Sequence, residues 1–149
     1  MVCPFCLNTK TEVYNSRPTK KVNSLWRRRR CPSCHQEFTT RETIDAEAIL
    51  KVQTPDNKSI AFSRARLLLS LLKSCDHQTQ QDNAYWLCQT IEQKLIRQAT
   101  QTEGTVTTEQ ITTAALAVLK NFDTPSFIKY LTYHSPALDA KTIKNQLNK

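Results

Sequence analysis

Two Cys-x-x-Cys pairs, Cys3-Pro4-Phe5-Cys6 and Cys31-Pro32-Ser33-Cys34, stand 24 residues apart in a chain of 149. Each pair can present two thiolates from one tight turn. Two such turns brought together make a tetrahedral four-sulfur site, the geometry zinc adopts in structural roles. The alternatives are redox dithiols or disulfides. A redox motif is normally a single pair within a βαβ pattern, and no signal peptide points to an oxidising compartment. The doubled spacing therefore predicts one zinc per chain on Cys3, Cys6, Cys31 and Cys34. Four cysteines fill the coordination sphere and leave no open position, so the metal is expected to hold structure and not to catalyse.

Between the pairs runs Trp26-Arg27-Arg28-Arg29-Arg30, abutting the second turn. A charge run is usually a solvated face. This one sits inside a metal-stapled unit, where a polyanion would relieve its self-repulsion and release counterions. In a strand, Arg27 and Arg29 would share one face, with Arg28 and Arg30 on the other. The net charge of +8 is uneven: residues 1–42 hold nine Lys/Arg against three Asp/Glu, residues 43–149 twelve against ten. Nucleic acid is the expected partner. No apolar run is long enough to span a membrane, and reduced cysteines without a targeting segment predict the cytoplasm.

Residues 1–42 are too few to bury a conventional core without a metal. Extended pieces are expected at Thr11–Asn15, Val22–Arg28 and Glu37–Thr40, with Val13, Leu25, Trp26 and Phe38 packed near the site. Trp26 could instead stack on a base. His35 reads as a surface residue or phosphate neighbour. The positions just after the two knuckles, where positive φ is favoured, carry Leu7 and His35 in place of glycine.

Residues 43–47 read as a linker, and 48–136 as a second domain. There Ala48–Gln53 and Ser59–Phe62 are extended candidates around a Thr54-Pro55-Asp56-Asn57-Lys58 turn, in which Asn57 tolerates the left-handed conformation. Helices follow. Ser63 caps one with Leu67, Leu68, Leu71 and Leu72 inward, and Asp82 caps a second carrying Leu87, Ile91 and Leu95, with Trp86 and Cys88 beside them. Thr107 and Gln110 have capping-box spacing for a third, burying Ile111, Ala115, Val118 and Leu119. A fourth starts at Asp123 or Thr124 before Pro125, with Phe127, Ile128, Tyr130 and Leu131. Residues 137–149 read as a tail or short helix from Asp139. Cys75 and Cys88 read as small core residues, and His77 and His134 as lone histidines. No Ser-His-Asp cluster, His-Glu-x-x-His pair or P-loop is present. The fold class expected is α+β: a small ribbon, then a mainly helical domain with a short hairpin.

The first 42 residues resemble the NrdR-type bacterial repressors of ribonucleotide reductase genes. The resemblance rests on Cys3-Pro4-Phe5-Cys6, Asn15-Ser16-Arg17, Arg27–Cys34 and Phe38-Thr39-Thr40-Arg41-Glu42. Length and domain order fit as well. The resemblance implies an N-terminal zinc ribbon joined to an ATP-cone, a non-enzymatic regulator. It implies operator DNA upstream of reductase genes as partner, met by Arg27, Arg28, Arg29 and Arg30 with Arg17, Lys20 and Lys21. It further implies ATP or dATP as regulatory ligand, near Lys51, Val52, Phe62, Arg64 and Arg66, and a homo-oligomer whose assembly the nucleotide sets. The second half is similar in outline. The lysine, turn glycine and helix-start aspartate of such cones are Thr54, Asn57 and Ser63 here. Three other readings stay open: a nucleic-acid binder whose cone is only an oligomerisation scaffold, an RNA-binding ribbon, and a metal-dependent hydrolase. A closed four-thiolate site argues against the last.

Overall fold

A computed structural model describes residues 1–19, 23–75 and 78–134. The chain divides into two compact units, Met1–Asp45 and Ala46–Lys149. Three antiparallel strands make up the first: β1 (Glu12–Thr19), β2 (Ser24–Arg30) and β3 (Glu37–Thr43), in the order β1-β2-β3. Strands β1 and β3 are longer than the alternation in sequence predicts, and β2 keeps the expected length but lies two residues further along the chain. Among the described residues of this unit, only Cys3 and Cys31 are buried. The sheet is a single layer, so Val13, expected to pack inward, is left 39% exposed. Sulfur takes the place of an apolar core here.

The second unit runs α1 (Ala46–Ile49), β4 (Lys51–Gln53), β5 (Ser59–Ala61), α2 (Arg64–Leu72), α3 (Gln78–Ala99), β6 (Thr105–Thr107), α4 (Thr108–Phe122) and α5 (Thr124–His134). Its small sheet has the order β5-β4-β6, with β4 antiparallel to β5 and parallel to β6. The turn is as expected: Asn57 has φ +61°, and the Thr54 N–H donates to the Lys58 carbonyl at 2.9 Å. Ser63 caps α2, accepting from the Arg66 N–H. Thr107 and Gln110 form a complete capping box on α4. Asp123 Oδ2 accepts the Ser126 N–H at 2.8 Å and so caps α5. The core joins Leu50, Val52, Leu67, Leu71, Ile91, Leu95, Val106, Leu119, Phe127 and Tyr130, with Cys88 among them.

Four local expectations change. Ala48 and Ile49 are not extended. They belong to α1, a turn of good helix formers that closes with the Leu50 N–H on the Ala46 carbonyl at 2.9 Å. Helix α3 begins at Gln78, not after Asp82, because no Gly or Pro stops the glutamine-rich turn and Gln80 Nε2 donates to Asp123 Oδ2 at 2.7 Å. Trp86 lies 47% exposed on the outer side of α3. Strand β6 is too short to show any periodicity. Lys20, Lys21, Val22, His77 and the segment 137–149 lie outside the described residues.

The single glycine is required where it stands. Gly104 has φ +84°, and a Cβ there would sit 2.4 Å from the Ile49 carbonyl oxygen. Its own carbonyl accepts the Lys51 N–H at 2.9 Å, where β6 begins to pair with β4. Gly104→Ala should therefore cost at least about 2 kcal/mol, through strained φ and the clash together. A urea midpoint comparison checks this, and an unchanged midpoint would contradict the close approach.

Candidate metal centre, arginine sheet and cavity

The two knuckles are built alike. In each, the N–H after the second cysteine donates back to the first cysteine's carbonyl: Leu7 to Cys3 and His35 to Cys31, both at 3.0 Å. Each first cysteine's N–H then donates onward, to Asn8 at 2.9 Å and Gln36 at 3.0 Å. Leu7 and His35 adopt φ +60° and +58° without glycine. The turns face each other so that the Sγ atoms of Cys3, Cys6, Cys31 and Cys34 all lie within 4.8 Å of one another. Across the gap, Cys3 and Cys34 are 3.7 Å apart and Cys6 and Cys31 3.5 Å. These distances are too long for disulfides. A tetrahedron with Zn–S bonds of about 2.3 Å has sulfur–sulfur edges of about 3.8 Å, so the quartet fits zinc.

Electrostatics point the same way. The Cys34 N–H, helped by that of Ser33, lowers the Cys31 thiol to about 7 against its desolvation. Cys34 goes the other way, to about 12: the Gln36 N–H pulls it down, but desolvation and the sulfurs of Cys6, Cys3 and Cys31 outweigh that. One thiolate forms readily, and further negative charge needs a cation among the sulfurs. His35 is exposed and not part of the quartet.

Strand β2 is central, and its parity places the arginines as the sequence predicts. Arg27 and Arg29 pair across β3 with Thr40 and Phe38, Arg28 and Arg30 with Thr39 and Glu37. Arg27 Nε lies 2.8 Å from Glu42 Oε1, and Nη2 donates to Oε2 at 3.0 Å. Arg29 Nε donates to Thr40 Oγ1 at 3.2 Å. Arg28 donates through Nε at 3.3 Å and Nη2 at 3.1 Å to Glu37 Oε2. Trp26, half-buried, sits between Arg17 of β1 and Arg41 of β3 in register. The two carboxylates escaped the sequence reading, although strand pairing of Glu37 and Glu42 with an arginine strand is a cross-strand charge pattern.

In the second unit a cavity of about 240 Å³ opens beside the hairpin. Val52, Phe62 and Arg66 line it, with Tyr130, Thr112 and His134 among the other walls. Lys51 and Arg64 do not. Lys51 alternates with Val52 and is exposed. Arg64 instead forks onto the carboxylate of Glu92, 3% exposed, at 2.6 and 2.9 Å. His134 shares a 2.8 Å hydrogen bond with Ser70 Oγ and stacks on Tyr130 at 4.3 Å between centroids. Burial and then Lys73 hold its pKa below the ordinary histidine value. Arg66 is thus the permanent cation of the wall among the described residues. Among them, too, no helix is long and apolar enough to cross a membrane.

Residues 1–42 match a family model described as "Transcriptional repressor NrdR-like, N-terminal domain". Along its whole length the chain is similar to proteins named transcriptional repressor NrdR. One from Acetivibrio thermocellus is 30% identical over 150 residues, covering 100% of this chain and 97% of the relative. One from Alkaliphilus metalliredigens is 29% identical, covering 100% and 94%. One from Thermus thermophilus is 30% identical over 135 residues, covering 90% and 84%.

Proposed function

The chain belongs to the NrdR family of transcriptional repressors, a family of non-enzymatic regulators, and from that premise we propose that it represses ribonucleotide reductase genes under adenine-nucleotide control. Membership with a zinc ribbon implies DNA binding. Cys3, Cys6, Cys31 and Cys34 hold one zinc, which fixes β2 between the knuckles. Arg27, Arg28, Arg29 and Arg30, with Arg17, Lys20 and Lys21, meet the phosphates and groove edges of the duplex. The protein works in the cytoplasm as a homo-oligomer, because one ribbon of this size binds weakly and several together gain avidity.

The finer reading, nucleotide control by an ATP-cone, is supported chiefly by the cavity. Phe62 and the aliphatic wall suit a flat base, and Arg66 supplies a guanidinium for phosphate. ATP or dATP bound there would change which assembly is favoured, provided it prefers one of them. The rival, a cone that serves only as an oligomerisation scaffold, draws support from the same wall: among the described residues it offers one permanent cation, and the hairpin carries Thr54 in place of lysine.

The test is a titration of the protein with duplex from upstream of a reductase gene, with and without ATP and dATP. DNA affinity should change about fivefold or more when the effective nucleotide is present. Arg66→Ala should weaken triphosphate binding about ten- to a hundredfold, and adenosine binding much less, because the lost group meets only phosphate. If neither nucleotide binds at millimolar concentration, the scaffold reading replaces this one.

A further inference from the structure

The four arginines are not equivalent, and the difference is built from all three strands of the ribbon. Tyr14 is an extra residue in β1: the register with β2 slips between Val13 and Asn15. Such a bulge re-aims a side chain. Here the Tyr14 hydroxyl reaches past β2 and donates to Glu37 Oε2 of β3 at 2.7 Å. The same oxygen accepts both Nε and Nη2 of Arg28, from the strand between them. Tyr14, then Arg28, hold the Glu37 carboxyl below its usual range, so it stays ionised. The Arg30 side chain, by contrast, donates no hydrogen bond among the described residues and acts on Glu37 through its charge alone, and the Arg17 side chain makes neither a hydrogen bond nor a close ion pair among them.

With Nε and one Nη2 hydrogen engaged, Arg28 keeps the outer edge of its guanidinium, formed by Nη1 and the second Nη2 hydrogen. That edge is the pair of donors that matches N7 and O6 of guanine in the major groove. A carboxylate gripping the inner edge removes the rotamer freedom that otherwise makes an exposed arginine a poor reader. We propose that Glu37, aimed by Tyr14, is a positioning residue that sets Arg28 as a guanine-reading side chain, while Arg30 and Arg17 contribute phosphate contacts. The inference rests on the ribbon's binding to duplex DNA.

The full-length zinc-loaded protein and its Glu37→Gln, Tyr14→Phe and Arg28→Lys variants would each be run through selection from a randomised duplex pool. Affinity for an unselected duplex and its salt dependence would be measured alongside. Wild type should select at least one guanine position that Arg28→Lys abolishes. Glu37→Gln should lose about ten- to a hundredfold of discrimination at that same position. Its affinity for unselected duplex should hold or rise, with a steeper salt slope by about one unit, because the freed arginine can move to phosphate. Tyr14→Phe, which keeps the ring, should lose roughly two- to tenfold of discrimination. A merely structural role would lower all affinities together and release zinc. Glu37→Gln that keeps the guanine preference overturns the inference and leaves DNA binding standing. Wild type that binds no duplex overturns both.

Discussion

Cys31→Ser is expected to strip zinc from the protein and unfold residues 1–45 while the helical unit stays intact. Cys31 and Cys3 are the buried residues of the ribbon among those described, each 0% exposed. Nothing else in that unit can supply a core, so its folding energy has to come from the metal. Structural zinc contributes about 10–16 kcal/mol in small domains at neutral pH, far more than a three-stranded sheet of this size gathers alone. Serine keeps the volume but does not ionise to a ligand near pH 7, and three thiolates hold the metal much less tightly. The second unit has its own core around Leu71, Ile91 and Leu119 and should unfold at its wild-type midpoint. Atomic absorption gives zinc per chain, and chelating wild-type protein should reproduce the variant's spectrum. One zinc retained per chain in the variant would remove the assignment.

Arg64→Ala should destabilise the second unit by about 3 kcal/mol, the lower end of what removing one partner of a buried ion pair costs. The reason lies in the other partner. Glu92 is 3% exposed and has no other ion-pair partner among the described residues once the guanidinium is gone, whereas the Arg64 side chain is 31% exposed. Glu47 strengthens the same corner by accepting the Arg64 N–H at 2.8 Å, which ties α1 to the start of α2. If an uncompensated charge is the cause, Arg64→Met with Glu92→Leu should recover most of the loss, since apolar pairs of similar volume replace buried ion pairs at little cost. Urea unfolding of the single and double variants settles it. A double variant as unstable as Arg64→Ala would mean that the fork's geometry, and not its charge balance, holds the corner. Nucleotide binding by the Arg64 variant has to be read against this stability loss, while Arg66 reports on the cavity more directly.

Much of the local structure is legible in the sequence because its physics is short-range. Two cysteines three residues apart define a knuckle, and the backbone accommodates Leu7 and His35 at positive φ to make it. Ser63, and Thr107 with Gln110, cap helices within one turn of themselves. The alternation of Arg27 to Arg30 follows from strand parity alone. Ala48 and Ile49 misled because a short stretch with alternating apolar residues cannot distinguish a helical turn from a strand.

Legible along the chain, then, is an inventory: a sulfur quartet, an arginine strand, and amphipathic helices behind a hairpin. Which groups meet was decided by tertiary structure. Arg64 finds Glu92 28 residues away, and Arg28 finds Glu37 and Tyr14 only because a bulge in β1 and the register of β3 bring both to one face. Val52, Phe62 and Arg66 line a cavity with His134 from the far end of the chain, whereas Lys51 and Arg64 turn away. Strand β6 exists because Gly104 lets the backbone approach Ile49 closely enough to pair with β4. Side-chain partners across strands and helices depend on register and packing angle, and a slip of one residue exchanges them, so no pattern along the chain can specify them.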